Sequence, residues 1–133
     1  MPQTIPIRAV HHVGRLTKRL EASKAFYCDV LGFREIERPN FDFPGAWLFA
    51  FGVQIHLIGN EAAGDPAGEI QSRVNHLAMH VDDFEQARTL LEEHGIEYRE
   101  SQAPGRDLRQ LFFRDPDGHV VELATYPPTP DFI

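Results

Sequence analysis

The chain has 133 residues, of which 42% are hydrophobic, and a formal net charge of −7 at pH 7. This length suits one globular domain. No apolar run approaches the roughly 20 residues of a membrane-spanning helix, and the positive residues are scattered, so we expect neither a membrane nor a nucleic-acid partner. The N-terminus lacks a secretory signal pattern and the single Cys28 excludes an internal disulfide, which together predict a cytoplasmic protein.

The first half of the chain predicts one strand, one helix and three more strands. Residues 7–16 have the pattern of a strand. Residues 20–31, "LEASKAFYCDVL", have the apolar spacing of an amphipathic helix, and Gly32 provides its stop. The three further strands are predicted at 33–38, 46–52 and 53–58.

The second half repeats this order after a polar linker that contains Gly and Pro. A strand is predicted at 73–81 and a helix at 82–95. Three strands follow, at 96–100, 108–114 and 119–126. The predicted domain organisation is a first module at 5–60, a linker at 61–73, a second module at 74–126 and a tail at 127–133.

The two halves also match in detail. "VHHVGRL" from Val10 and "VNHLAMHV" from Val74 place a histidine in the same slot, and Gly52 corresponds to Gly118. An internal repeat of this kind is a fold-level signal. It predicts an α+β fold of two βαβββ modules that form a curved mixed sheet around a concave metal site.

Strand alternation predicts which residues would line that concave side. Successive side chains of a strand point to opposite faces. Val13, Ile55, Leu57, Leu77, Met79, Val121 and Leu123 are assigned to the face that packs against the helices. His12, His56, His76 and Glu122 then share the opposite face, one from the first and one from the last strand of each module.

Three imidazoles and one carboxylate are a donor set for a borderline divalent ion. We therefore predict one metal ion per site, which could be Zn, Ni, Co, Fe or Mn. His56 is also open to a different interpretation, in which it contacts the substrate or supports a ligand instead of binding the metal.

Three segments carry a family resemblance across residues 7–126: "HHVGRLTKRLEASKAFYCDVLGF", "NHLAMHVDDFEQARTLLEEHGI" and "FFRDPDGHVVEL". The chain resembles the vicinal oxygen chelate superfamily of glyoxalases, bleomycin resistance proteins and dioxygenases. The segment "FDFPGAWLFAFGVQIHLI" at 41–58 further resembles glyoxalase-I-like proteins of plants and bacteria. In that family the metal ligands occupy the slots held here by His12, His56, His76 and Glu122, and glyoxalase I usually has Glu in the slot of His56.

The resemblance implies a metal-dependent lyase or isomerase similar to lactoylglutathione lyase. Its substrate would be a small oxygen-chelating molecule, such as a thiol adduct, that reacts through an enediolate-like intermediate. Glu122 would serve both as metal ligand and as the base that moves a proton between adjacent carbons. Three alternatives stay open: an Fe(II) extradiol-type dioxygenase with His12, His76 and Glu122 as facial triad, a thiol transferase of the fosfomycin-resistance type, and a non-catalytic drug-binding protein.

Further expectations concern the substrate, the assembly and the packing. Trp47, His80, Arg106 and Arg109 are candidate substrate contacts, the two arginines for an anionic group. A homodimer is expected because chains of this size in the family often dimerise, with sites built within one chain or across two. The alternation of residues 47–51 predicts a strand buried on both faces, and "DPDG" at 115–118 is interpreted as a turn without a further role.

Overall fold

The computed structural model of the protein describes residues 2–105 and 107–129. It confirms the α+β class, with each half folding into a four-stranded mixed sheet and one helical segment. The first half contains β1 His12–Thr17, α1 Leu20–Ala25, β2 Arg34–Ile36, β3 Gly45–Ala50 and β4 Val53–Gly59. The second half contains β5 His76–His80, α2 Phe84–Glu93, β6 Tyr98–Gln102, β7 Arg109–Arg114 and β8 Val120–Ala124. The two sheets are open and do not close into a barrel.

The two sheets have the same topology. Their strand orders are β1-β4-β3-β2 and β5-β8-β7-β6, and in each the first strand pairs with the last in parallel. The register is also shared, because Gly14 lies opposite His56 and Ala78 lies opposite Glu122. In each module, therefore, the residue two positions after the ligand on the first strand pairs with the ligand on the last strand.

The helices begin and end at residues that explain their bounds. α1 continues as a π-helical turn over Phe26–Val30, and the chain then reverses through Gly32, whose φ of 81° disfavours other residues. α2 starts at Asp83, whose carboxylate accepts a hydrogen bond from the backbone N–H of Gln86 at 3.0 Å. Within residues 2–105 and 107–129, no helix is both long and apolar enough to cross a membrane.

The helix-facing sides of the two modules meet in one core. Ile55 and Leu57 of β4 and Val121 and Leu123 of β8 are buried in the same cluster, and partly buried residues of β1 and β5 pack against it. The predicted assignment of strand faces is therefore confirmed. The faces that carry the predicted metal ligands point away from this shared core. On the second sheet, Ile70 of the linker packs with Phe112 and Val120 of that face.

Two predictions about the first sheet are wrong, one on the start of β1 and one on the burial of β3. β1 begins at His12 rather than at residue 7, because its partner strand β4 starts only at Val53 and leaves the preceding residues without a strand to pair with. β3 is buried on one face only. Leu48 is fully buried, whereas Phe49 is exposed, and Phe51 in the turn after β3 is 71% exposed.

The segment 115–118 does more than turn the chain. Asp117 is 2% exposed, and its carboxylate accepts hydrogen bonds from the Lys18 N–H at 3.0 Å and the Ser23 hydroxyl at 2.8 Å. Asp115 is equally buried and accepts a hydrogen bond from the Tyr27 hydroxyl at 2.7 Å. The two carboxylates of the second module thus bind the start of α1 and the π-helical turn of the first module.

Candidate functional site

The first half of the candidate site is a stack of aromatic rings on the open face of the β1-β4-β3-β2 sheet. The His12 ring is 3.8 Å from the His56 ring, centroid to centroid, and nearly parallel to it. The Trp47 ring lies 4.2 Å from the same imidazole, also nearly parallel. Two rings this close and parallel must occupy opposite faces of His56, so His56 is held between His12 and Trp47.

The surroundings of His56 favour a neutral imidazole. Burial lowers its pKa, and electrostatic interactions with His12, His11 and Arg38 lower it further. The His56 Nε2 donates to the side-chain oxygen of Gln54 at 2.8 Å, which leaves Nδ1 with its lone pair. A neutral imidazole with a free lone pair is the form that binds a metal ion.

A third imidazole joins this half of the site. The Nδ1 atoms of His11 and His12 are 2.9 Å apart, and one donor atom from each of His11, His12 and His56 falls within a 4.8 Å group. Alternation along a strand separates adjacent residues, but His11 precedes β1 and its backbone is not constrained to that pattern. Sequence reasoning assigned His11 to the surface, where it does lie, and missed its proximity to the other two histidines.

The second half of the site is a histidine–carboxylate pair on the open face of the other sheet. His76 Nε2 lies 3.2 Å from Glu122 Oε1. His76 Nδ1 is 2.7 Å from the Val74 carbonyl, which can only accept, so Nδ1 carries the proton. In neutral His76 the lone pair of Nε2 therefore faces a carboxylate oxygen, and two acceptors at this distance suit a shared cation.

The side chains around Glu122 hold its other oxygen. Glu122 is 5% exposed, and the Tyr126 hydroxyl donates a short hydrogen bond to its Oε2. The Gln110 Nε2 lies 3.5 Å from the same oxygen. Burial raises the pKa of Tyr126, and the contact with the carboxylate raises it further, so the phenol stays protonated as a donor.

Sequence reasoning missed Tyr126 and Gln110 as partners of Glu122. A signal was present for Tyr126, because a residue four positions after Glu122 in an extended chain lies on the same face. The proximity of Gln110 to Glu122 depends on how β7 pairs with β8. Phe112 of β7 lies opposite Glu122, and Gln110 is on the same face of β7 as Phe112. That pairing follows only once the register of β7 and β8 is known.

The four predicted ligands form two pairs, and the described part of the chain does not bring them into one cluster. The only group of three or more metal-binding side chains found there is His11, His12 and His56. The reason is the shared core, which lies between the two modules and sends their ligand-bearing faces in different directions. Neither face on its own supplies all four of the predicted ligands.

The remaining predicted contacts are distributed unevenly. Trp47 lies on the open face beside His56, and His80 lies on the open face of β5, where its Nδ1 accepts a hydrogen bond from the Tyr126 N–H at 3.1 Å. Arg109 points to the opposite face, 2.8 Å from a Glu85 carboxylate oxygen and over the Phe84 ring of α2. Its role in anion binding stays a prediction, and Arg106 lies outside the described residues.

The donors present fit a divalent metal ion. Nitrogen and carboxylate oxygen donors without a thiolate suit Zn, Ni, Co, Fe and Mn. His56 Nδ1 and the Nε2 of neutral His76 each have a lone pair free of a hydrogen-bond donor, and Glu122 Oε1 faces His76. The site chemistry therefore agrees with the predicted cofactor, without selecting one metal.

Comparison with known proteins gives a consistent family. The model of the Glyoxalase/Bleomycin resistance protein/Dioxygenase superfamily matches residues 9–123. Glyoxylase I 4 of Arabidopsis thaliana is 35% identical over 126 residues, covering 89% of this chain and 71% of that protein. Metallothiol transferase FosB of Staphylococcus haemolyticus is 28% identical and covers 90% of this chain and 84% of that protein.

Solved structures agree with this result. The glyoxalase family protein from Enterococcus faecalis superposes with a TM-score of 0.71 at 26% sequence identity. The match covers 90% of this chain and 99% of that structure. The similarity therefore extends over both βαβββ modules rather than one.

Proposed function

Because the chain belongs to the Glyoxalase/Bleomycin resistance protein/Dioxygenase superfamily, we propose that it is a divalent-metal-dependent lyase or isomerase of the glyoxalase I type. Its substrate is a small molecule with two neighbouring oxygen atoms, such as the adduct of a thiol and a 2-oxoaldehyde. The relative named as a glyoxylase I supports this reaction class. The donor chemistry of His12, His56, His76 and Glu122 supports the metal.

One observation carries the proposal: both modules place a pair of donors at the same register on their open face. His12 and His56 occupy in the first sheet the positions that His76 and Glu122 occupy in the second. A pseudo-twofold site needs this equivalence, because its two halves must meet across one axis.

The active assembly in this proposal is a homodimer. Since the shared core keeps the two pairs of one chain on different faces, His12 and His56 of one copy bind the ion together with His76 and Glu122 of a second copy. Two equivalent sites then form in each dimer. An open sheet in each module gives the second copy access to its donors.

Glu122 and Tyr126 have different roles in the proposed reaction. The metal ion, when bound, acts as a Lewis acid on the two oxygens of the substrate. Glu122 removes a proton from one carbon and returns it to the neighbouring carbon, as a buried carboxylate near the reacting atoms can do. Tyr126 fixes the orientation of Glu122 through Oε2, which leaves Oε1 on the side of His76.

The proposal is tested by metal analysis and a lyase assay on the untagged protein. We expect about one Zn, Ni, Co or Mn per chain, and isomerisation of the adduct of methylglyoxal and glutathione. Glu122→Gln should reduce kcat by about 100-fold or more, in line with the loss of a general base. Glu21→Gln, an exposed glutamate in α1, is the control. Full activity of Glu122→Gln, or a protein that takes up no metal on titration, contradicts the proposal.

A second candidate is transfer of a thiol to an electrophilic antibiotic. It is favoured by the curated relatives named metallothiol transferase FosB, which match across most of this chain. The same metal site would bind the oxygens of fosfomycin, and a free thiol would be the second substrate. Covalent addition of cysteine or glutathione to fosfomycin, followed by mass spectrometry, distinguishes this reaction from the isomerase.

A further inference from the structure

A surface of aromatic rings lies beside the metal donors. The proposed proton transfer gives these rings no role. Trp47 stacks on His56, and the Phe41 ring lies 6.1 Å from Trp47 at an angle of 48°. The Phe43 ring stacks on Phe41 at 5.3 Å. We call Phe41, Phe43 and Trp47 the aromatic shelf. Its rings form a continuous path that starts at the His12–His56 pair.

The shelf is exposed although it is built of large apolar side chains. Phe41 is 43% exposed and Phe43 is 38% exposed, and Trp47 is half-buried. Single exposed apolar residues are ordinary on protein surfaces, but contiguous ones mark binding sites more often. Here they are contiguous with the candidate metal centre.

The loop that carries Phe41 and Phe43 is held in place from below. Arg38 donates a hydrogen bond to the Phe43 carbonyl at 2.8 Å, and its guanidinium lies 4.9 Å from the centroids of both phenylalanine rings. Gly45 allows a close approach to β4, since a Cβ there would be 2.5 Å from the Leu57 carbonyl oxygen. The rings are therefore positioned before any ligand arrives, which reduces the entropy lost on binding.

We propose that the aromatic shelf binds a planar aromatic substituent of the substrate, so that the protein prefers aryl over small alkyl groups next to the two chelating oxygens. This inference rests on the proposed metal site and names the substrate class for it. A planar group attached to the chelated oxygens reaches the rings beyond His56. Stacked or edge-to-face contacts with Trp47 and Phe41 then add to the binding of the oxygens.

The test compares two chelators that differ only in this substituent. Acetohydroxamate and benzohydroxamate both bind a metal through two neighbouring oxygens, and titration calorimetry on the zinc-loaded protein gives both dissociation constants. We expect benzohydroxamate to bind about tenfold more tightly, the size of effect that contacts with two aromatic rings provide. In the double variant Phe41→Ala and Phe43→Ala the ratio should fall to about threefold, because Trp47 remains, with the acetohydroxamate constant unchanged.

Phe51→Ala is the matched control, because it removes an exposed phenylalanine outside the shelf, and it should keep the full preference. A wild-type protein without aryl preference, or a double variant that retains it, overturns the shelf proposal while the metal site stands. A double variant that loses its dimer, and with it the binding of both chelators, would assign the rings to the subunit interface, and also overturns it. Zinc-loaded protein that binds neither chelator contradicts the proposed function, and the shelf proposal fails with it.

Discussion

The most direct structural prediction concerns Asp117→Ala, which removes the carboxylate that joins the two modules. Asp117 is 2% exposed and accepts hydrogen bonds from the Lys18 N–H and the Ser23 hydroxyl. A hydrogen bond to a charged acceptor contributes about 1.5–3 kcal/mol, so these two bonds contribute about 3–6 kcal/mol. The partly exposed Arg19 guanidinium also donates to this carboxylate, at 3.2 Å, and adds less because ion pairs at the surface contribute little. Water entering the vacated space replaces part of this, and we expect a loss of about 3 kcal/mol in the free energy of unfolding.

Urea denaturation followed by circular dichroism measures this change. The control is Asp65→Asn, because Asp65 also pairs with Lys18 and Arg19 but is exposed, and surface ion pairs contribute little. Its denaturation midpoint should stay close to that of the wild type. A change below about 1 kcal/mol for Asp117→Ala would contradict the expectation that this carboxylate adds substantially to the apolar core in holding the modules together.

Three further predictions concern acid stability and the metal site. Burial alone would raise the pKa of Asp117, but the hydrogen bonds to its carboxylate hold that pKa below the usual value. The stabilisation by Asp117 is therefore full above about pH 4 and is lost as the pH falls. Asp117→Asn should flatten the acid side of a plot of unfolding free energy against pH, and an unchanged slope would contradict this prediction. Tyr126→Phe removes the hydrogen bond to Glu122 and should weaken zinc binding by about tenfold, whereas equal dissociation constants by calorimetry would deny Tyr126 a positioning role. His11→Ala should leave zinc affinity within about twofold, unlike His12→Ala, since only His12 has a pseudo-equivalent ligand in the second module; equal losses would favour a site of three histidines within one chain.

Alternation and internal repetition predicted much of the fold from the sequence. Because one face of each sheet must be buried, the period of two assigned Ile55 and Val121 to the core correctly. The repeat also places His12 and His76 in equivalent positions, and the register of the two sheets agrees with this. These features depend on local pattern and are therefore visible in a single sequence.

Features that depend on contacts between the modules were not predictable in this way. The burial of Asp117 requires knowledge that the start of α1 packs against the turn before β8, and no local pattern at 115–118 encodes that partner. The exposure of Phe49 was missed because an aromatic residue in a strand resembles a core residue when its surroundings are unknown. The proximity of His11 to His12 depends on where β1 begins, which pairing with β4 decides.

If each metal site takes donors from two copies of the chain, two variants that lack different donors should restore each other when they are mixed. His12→Ala and His76→Ala each damage every site of their own homodimers. After unfolding and refolding together, about half of the dimers are mixed and one of their two sites has all four donors, so the mixture should bind zinc at about a quarter of the wild-type amount and regain activity in proportion. If native mass spectrometry shows mixed dimers but zinc binding stays at the level of the separate variants, the site lies within one chain and the account is contradicted.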